Sequence, residues 1–188
     1  MSEAYKFPLE RVNQTKEFEL NSFWQRFVER YARDSAALLF RSFKLRQEVV
    51  TEAFFVEADY SVDGRCCCLI EVGGAQVGML AGQVEFCNQI VALSYGGEPF
   101  SKQDQVRSLS LHDRVLVKGF FKKLIVAFNE LSSDLQNQTK LELLDRDIYM
   151  MESLHMPRRP VALRFYLLDS SFEFIFDKRF FRELSLVK

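Results

Sequence analysis

The sequence predicts an α/β fold of two similar halves, each a long helix followed by three strands and a shorter helix. Three observations lead there. Two long stretches, from Ser22 and from Ser110, repeat apolar residues at helical spacing. Each is followed by runs rich in Val, Phe, Leu and Thr, set apart by Gly, Asp and Ser in the manner of hairpins. Between them, Leu93-Ser94-Tyr95-Gly96-Gly97-Glu98-Pro99-Phe100 ends a helix-like run ahead of a polar segment.

The totals narrow the possibilities. At 188 residues, 48% hydrophobic and 27% charged, the chain can bury a full core. Nineteen phenylalanines against one tryptophan predict a Phe-rich interior. A net charge of −1 gives no footprint for nucleic acid. No apolar run approaches the ~20 residues that span a bilayer, and the polar start Met1-Ser2-Glu3-Ala4-Tyr5-Lys6 is no signal peptide. A cytoplasmic protein is expected.

Residues 1–19 lack a sustained period and read as a lead-in to a single domain over 20–188. Ser22-Phe23-Trp24-Gln25 has the capping-box pattern. Phe23, Phe27, Tyr31, Ser35 and Leu38 then form one stripe, with Trp24, Val28, Ala32 and Leu39 beside it, predicting a helix to about Phe43. A strand is expected over Glu48–Tyr60. Ser61-Val62-Asp63-Gly64 is a hairpin turn, Arg65–Val72 a second strand, Gly73-Gly74 a turn and Ala75–Ala81 a third strand. Gly82–Tyr95 is the shorter helix, so the first half covers about 20–97.

A linker, 98–108, leads to the second half, about 109–186. Ser110-Leu111-His112-Asp113 is another capping-box start. Leu116, Phe120, Leu124, Ala127, Phe128 and Leu131 predict the buried stripe of the second long helix. Lys140–Met151 is expected to be a strand, broken by Leu154–Pro160. Val161–Leu168 alternates clearly, Asp169-Ser170-Ser171 turns, and Phe172–Phe176 is the last strand. Asp177 should cap a short helix to about Leu186. Setting Val77–Phe86 against Phe172–Phe181 aligns strand, turn residue and helix start. One mixed six-stranded sheet, or two abutting three-stranded ones, would accommodate the repeat.

The cysteines suggest no metal. Cys66, Cys67 and Cys68 alternate faces of a strand, and with Cys87 they read as small buried hydrophobes. No cofactor is expected.

The order of these segments resembles the middle domain of the flagellar motor switch protein FliM. The resemblance rests on the Arg-rich helix ending Phe40-Arg41-Ser42-Phe43-Lys44, the hairpin, the helix closing on Tyr95-Gly96-Gly97-Glu98-Pro99, and Leu109-Ser110-Leu111-His112-Asp113-Arg114 opening the next helix. It covers roughly residues 20–186. It implies a pseudo-twofold α/β/α fold shared with CheC and CheX phosphatases and with Q-type proteins of type III secretion. It also implies a FliG-like partner, FliM- or FliN-type proteins or a second copy as others, and a place at the cytoplasmic base of a flagellar motor, membrane contact being indirect.

Three departures accompany the resemblance. Nothing before Ser22 looks like the family's peptide for phosphorylated CheY. The chain stops at Lys188 without the family's β-rich ring-forming module, so an excised or shortened member, or a free-standing paralogue, is expected. Pro99 stands where the family's loop has its last glycine.

The resemblance implies that Tyr95, Gly96, Gly97, Glu98 and Pro99 lie at a protein interface, the candidate protein-binding site. Read from the residues, the same stretch is equally a helix C-cap with a turn, the adjacent glycines permitting positive φ. Lys118, Lys122 and Lys123 are a solvated helix face or a secondary docking patch for an acidic partner. Arg158-Arg159 reads as an exposed loop. Neither His112 nor His155 joins a nucleophile or ligand set, and no catalytic residue is assigned. A CheC-type phosphatase needs Glu and Asn one helical turn apart. The second long helix, and the first around Glu29–Leu38, lack that Glu-x-x-Asn.

Overall fold

A computed structural model describes residues 22–43, 52–57, 65–97, 107–135, 139–144, 149–150, 160–167 and 170–185. The elements are α1 (Ser22–Phe43), β1 (Glu52–Glu57), β2 (Arg65–Val72), β3 (Ala75–Gln83), α2 (Val84–Ser94) and α3 (Leu111–Asp134), then β4 (Glu142–Leu143), β5 (Tyr149–Met150), β6 (Pro160–Leu167), β7 (Ser170–Asp177) and α4 (Lys178–Ser185). Gly73 and Gly74 close the β2–β3 hairpin, both at positive φ as a two-residue turn demands. The side chains of the expected cap at Ser22 and the turn at Asp63-Gly64 lie outside the described residues.

One seven-stranded sheet takes strands from both halves, in the order β1-β6-β7-β3-β2-β4, with β5 also on β2. Every pairing among the described residues is antiparallel, so the sheet is not mixed. Nor do the halves form abutting three-stranded sheets. β3 and β7 pair at the centre, each beside its own hairpin partner. The first strand of each half crosses over: β1 lies on β6, while β4 and β5 lie on β2. The pseudo-twofold relation is real, but its halves are interlocked.

The repeat needs a one-residue correction. β3 ends at Gln83 and β7 at Asp177, each directly before a helix, so Gln83 answers to Asp177. Setting Gly82 against Asp177 instead would turn every strand side chain to the wrong face, because strand side chains alternate. Leu80 and Phe174, cross-strand partners at the centre, both belong to the helix-covered core. The first hairpin also runs one residue longer, from Cys66 to Gly82 against Val161 to Phe176. A register shift between Ile70 and Glu71 accommodates it.

Both long helices, α2 and α4 cover one face of the sheet. Phe27 and Tyr31 of α1 and Phe128 of α3 interlock with Phe165 and Phe174 of the sheet, at centroid distances of 4.5–5.8 Å. The Tyr31 hydroxyl donates to the Leu124 carbonyl at 2.8 Å, tying α1 to α3. Cys67, Leu69, Met79, Ala81, Ala162 and Ile175 are buried together as a second cluster. Among the described residues no helix contributes to this cluster; all four helices pack on the other face.

Three further expectations change. The buried face of α3 is centred on Val117, Phe121, Leu124 and Phe128, with Leu116 and Ala127 only half-buried. Of the strand expected over Lys140–Met151, the described residues form two short pieces, Glu142–Leu143 and Tyr149–Met150, both on β2. Ser170 and Ser171 lie inside β7 and not in the turn: the Ser171 amide donates to the Gln83 side chain at 3.1 Å, and both residues pair with β6. Asp177 does cap α4, accepting from the Arg179 amide at 2.8 Å.

Candidate functional site

The end of α2 is set by a two-bond cap. The Gly97 amide donates to the Ala92 carbonyl at 2.9 Å and the Gly96 amide to Leu93 at 3.0 Å. Gly96 has φ +78°, the left-handed conformation this Schellman pattern places just past a helix end. Gly97 is not left-handed, so only one of the two glycines is needed for positive φ. A Cβ added at Gly97 would stand 3.1 Å from the Ala92 carbonyl oxygen. The helix-cap reading of these glycines therefore holds as geometry. It leaves Tyr95 unexplained, since that side chain is 62% exposed. Glu98 and Pro99 lie outside the described residues.

The chain returns beside this helix end and is fastened there. Asn88, buried on α2, donates from Nδ2 to the Val84 and Arg107 carbonyls, both at 2.9 Å. α3 then starts in a complete capping box: the Asp113 amide donates to Ser110 Oγ at 3.2 Å, and the Ser110 amide donates to Asp113 Oδ2 at 2.9 Å. The Ser110 hydroxyl also donates to Oδ2, at 2.8 Å, and Arg107 Nη2 reaches Oδ1 at 3.2 Å. Burial pushes the Asp113 carboxyl up. The Ser110 hydrogen bonds and the Arg107 charge outweigh that and hold it below the ordinary carboxylate value. Tyr95 and His112 face each other across the junction, ring centroids 6.2 Å apart.

The other candidates sort as follows. Lys122 and Lys123 are exposed on α3 and Lys118 is half-buried; Lys123 Nζ lies 3.3 Å from Ser42 Oγ on α1. The four cysteines are free and buried. Burial pushes Cys68 up to about 12 and Cys67 higher. Cys66 and Cys87 share a thiol hydrogen bond that lowers the first and raises the second. None presents a reactive thiolate at the surface. Among the described residues no group of three His, Cys, Asp or Glu could hold a metal ion. His155, Arg158 and Arg159 lie outside them.

Sequence reading passed over one motif. Glu85 and Asn88 on α2 have the Glu-x-x-Asn spacing that the long helices lack. Glu85 is exposed; Asn88 is buried, its amide nitrogen is bonded to two backbone carbonyls, and its Oδ1 has no hydrogen-bond partner among the described residues. Asn129 of α3 clamps the Leu141 backbone with two bonds of 2.8 Å.

No family model matches the sequence, and no curated protein matches it. Solved structures do. A chain of the FliG–FliM complex of H. pylori superposes with a TM-score of 0.69 at 12% identity, over 82% of this chain and 91% of that one. The FliM middle domain of Vibrio alginolyticus gives 0.60 at 14% identity, over 86% and 99%. FliY of Thermotoga maritima gives 0.59 at 12% identity, over 82% and 87%. At these identities the likeness defines the class of fold, that of FliM middle domains and FliY. Among the described residues no helix is long and apolar enough to cross a membrane.

Proposed function

We propose that this chain is a non-enzymatic scaffold or adaptor that binds a FliG-like switch protein at the cytoplasmic base of a flagellar motor. Residues 20–188 act as one rigid support, and Tyr95, Gly96, Gly97, Glu98 and Pro99 make the contact. The observation that carries this reading is the exposed Tyr95 ring on a rigidly capped helix end. An aromatic side chain held out from such a base is the kind of group that anchors protein interfaces. The fold supports the partner class, since a FliG–FliM complex is among the structures it resembles. FliM- or FliN-type proteins, or a second copy, are further partners of the same reading.

The test is direct binding of the purified chain to a purified FliG-type protein, with Tyr95→Ala as the site variant and exposed Arg182→Ala on α4 as control. Tyr95→Ala should weaken binding about tenfold or more, and the control should not. Gly97→Arg is the less clean variant, because its Cβ presses on the Ala92 carbonyl. Wild-type binding unaffected by Tyr95→Ala would remove the loop from the interface. Failure to bind FliG, with binding to sorting-platform proteins of type III secretion, would reassign the machine. Dephosphorylation of a response regulator by the chain would reopen the phosphatase alternative.

A further inference from the structure

Four large apolar side chains stand exposed among the described residues: Tyr95, Leu111 at 78%, Val115 at 65% and Val126 at 53%. Three of them lie on one helix, α3, and the ring of the fourth faces His112 of that helix. Leu111, Val115, Lys122 and Val126 follow one another at intervals of four, seven and four residues, which places them along a single line of the helix surface. That line points away from the buried face of Val117, Phe121, Leu124 and Phe128.

Gly119 lies beside the line, at mid-helix and exposed. A Cβ built there meets nothing within 4 Å, so no contact among the described residues requires a glycine. Glycine weakens a helix interior relative to alanine, and β-branched Val115 and Val126 are also poor choices for a solvated helix face. What the three residues share is a low, apolar notch into which a second helix backbone can settle. The charge along its middle turns is basic, and exposed Glu130 stands one turn beyond Val126. From Arg114 to Asn129 the helix has no acidic residue, while Lys118, Lys122 and Lys123 flank the notch.

We infer that the outer face of α3, centred on Gly119, is a seat for an acidic amphipathic helix of a partner protein. The partner lays its apolar stripe across Val115, Gly119 and Val126 and sets carboxylates toward the lysines. A second copy of α3 is the wrong occupant, because it would bring lysine against lysine. The line begins beside the residue that Tyr95 faces, but the seat is centred on Gly119 further along α3, and its test does not use the Tyr95 loop.

The test measures fluorescence anisotropy of a labelled helical peptide of about five turns against the whole chain. The peptide has Leu and Ala on one face, flanked by Glu, and a twin carries Lys for Glu. The acidic peptide should bind saturably and weaken with salt. It should lose about tenfold or more in affinity with Gly119→Leu and with Lys122→Glu, and the basic twin should not bind. Gly119→Leu fills open space, so its thermal unfolding should match or exceed that of wild type. Absence of saturable binding, equal binding of the twin, or undiminished binding to Gly119→Leu would each overturn the proposal. Self-association in sedimentation that Gly119→Leu abolishes would overturn the acidic occupant in favour of a second copy.

Discussion

Asp113 and Glu173 show what single charges do in this molecule. Asp113 gains its hydrogen bonds and its Arg107 neighbour only in the folded state, so its folded pKa lies below the unfolded value of about 3.9. Its contribution is complete above the unfolded value and is lost as pH falls through the folded one. Asp113→Asn should cost about 1 kcal/mol at neutral pH through the weakened cap and should flatten the acid limb of stability, as measured by urea unfolding from pH 2 to pH 7. Glu173 is 2% exposed on β7 and is held by Arg65 Nη1 at 2.6 Å and by Arg164 Nε. Glu173→Ala leaves two arginines facing an empty position. About 3–5 kcal/mol of stability should be lost, read as a lower denaturation midpoint. Tyr31→Phe, losing one buried bond to Leu124, serves as a milder reference at about 1 kcal/mol.

At the scale of elements, Gly119→Ala should stabilise the chain by about 1 kcal/mol, because it improves helix propensity where no neighbour objects. A melting temperature higher by roughly 2–4 °C is the expected reading. The same helix shows where sequence reasoning succeeds and where it stops. Its start was legible, since Ser110 and Asp113 carry the capping box in plain spacing. Its buried face was legible in part: Phe120, Leu124, Phe128 and Leu131 of the expected stripe are buried, while Val117, Phe121 and Ile125 were missed, because apolar residues also stand on other sides of the helix and the period does not fix the centre of a wide stripe. β2 was legible to the residue, bounded by a glycine pair that admits one turn. The end of α2 was legible for a related reason: Gly96 takes the conformation for which glycine is suited. Asn88, Arg107 and Glu173 were not, because each acts through a residue far along the chain. Lys140–Met151 was legible as strand where it is described, at Glu142–Leu143 and Tyr149–Met150, but not as a neighbour of β2, which lies far back in the sequence.

At the scale of the whole molecule, the crossing of β1 to β6 and of β4 and β5 to β2 makes each half depend on the other. Local alternation disclosed the two halves but not their interlocking, since strand neighbours distant in sequence leave no mark on composition. The crossing also has a consequence for synthesis. A ribosome delivers β3 early, yet the strand that covers its open side is β7, formed from Ser170–Asp177. Until that stretch emerges, the nascent chain carries a bare strand edge and a Phe-lined helix face without its floor, a state prone to aggregation. Gly78, where a Cβ would sit 2.2 Å from the Ile175 oxygen, waits for the same late arrival. Folding should therefore follow translation. A chain ended at residue 169 should show no cooperative unfolding transition by circular dichroism and should be rapidly cleaved by protease. A cooperative transition in that fragment would mean that the early strands hold together before the centre of their sheet exists.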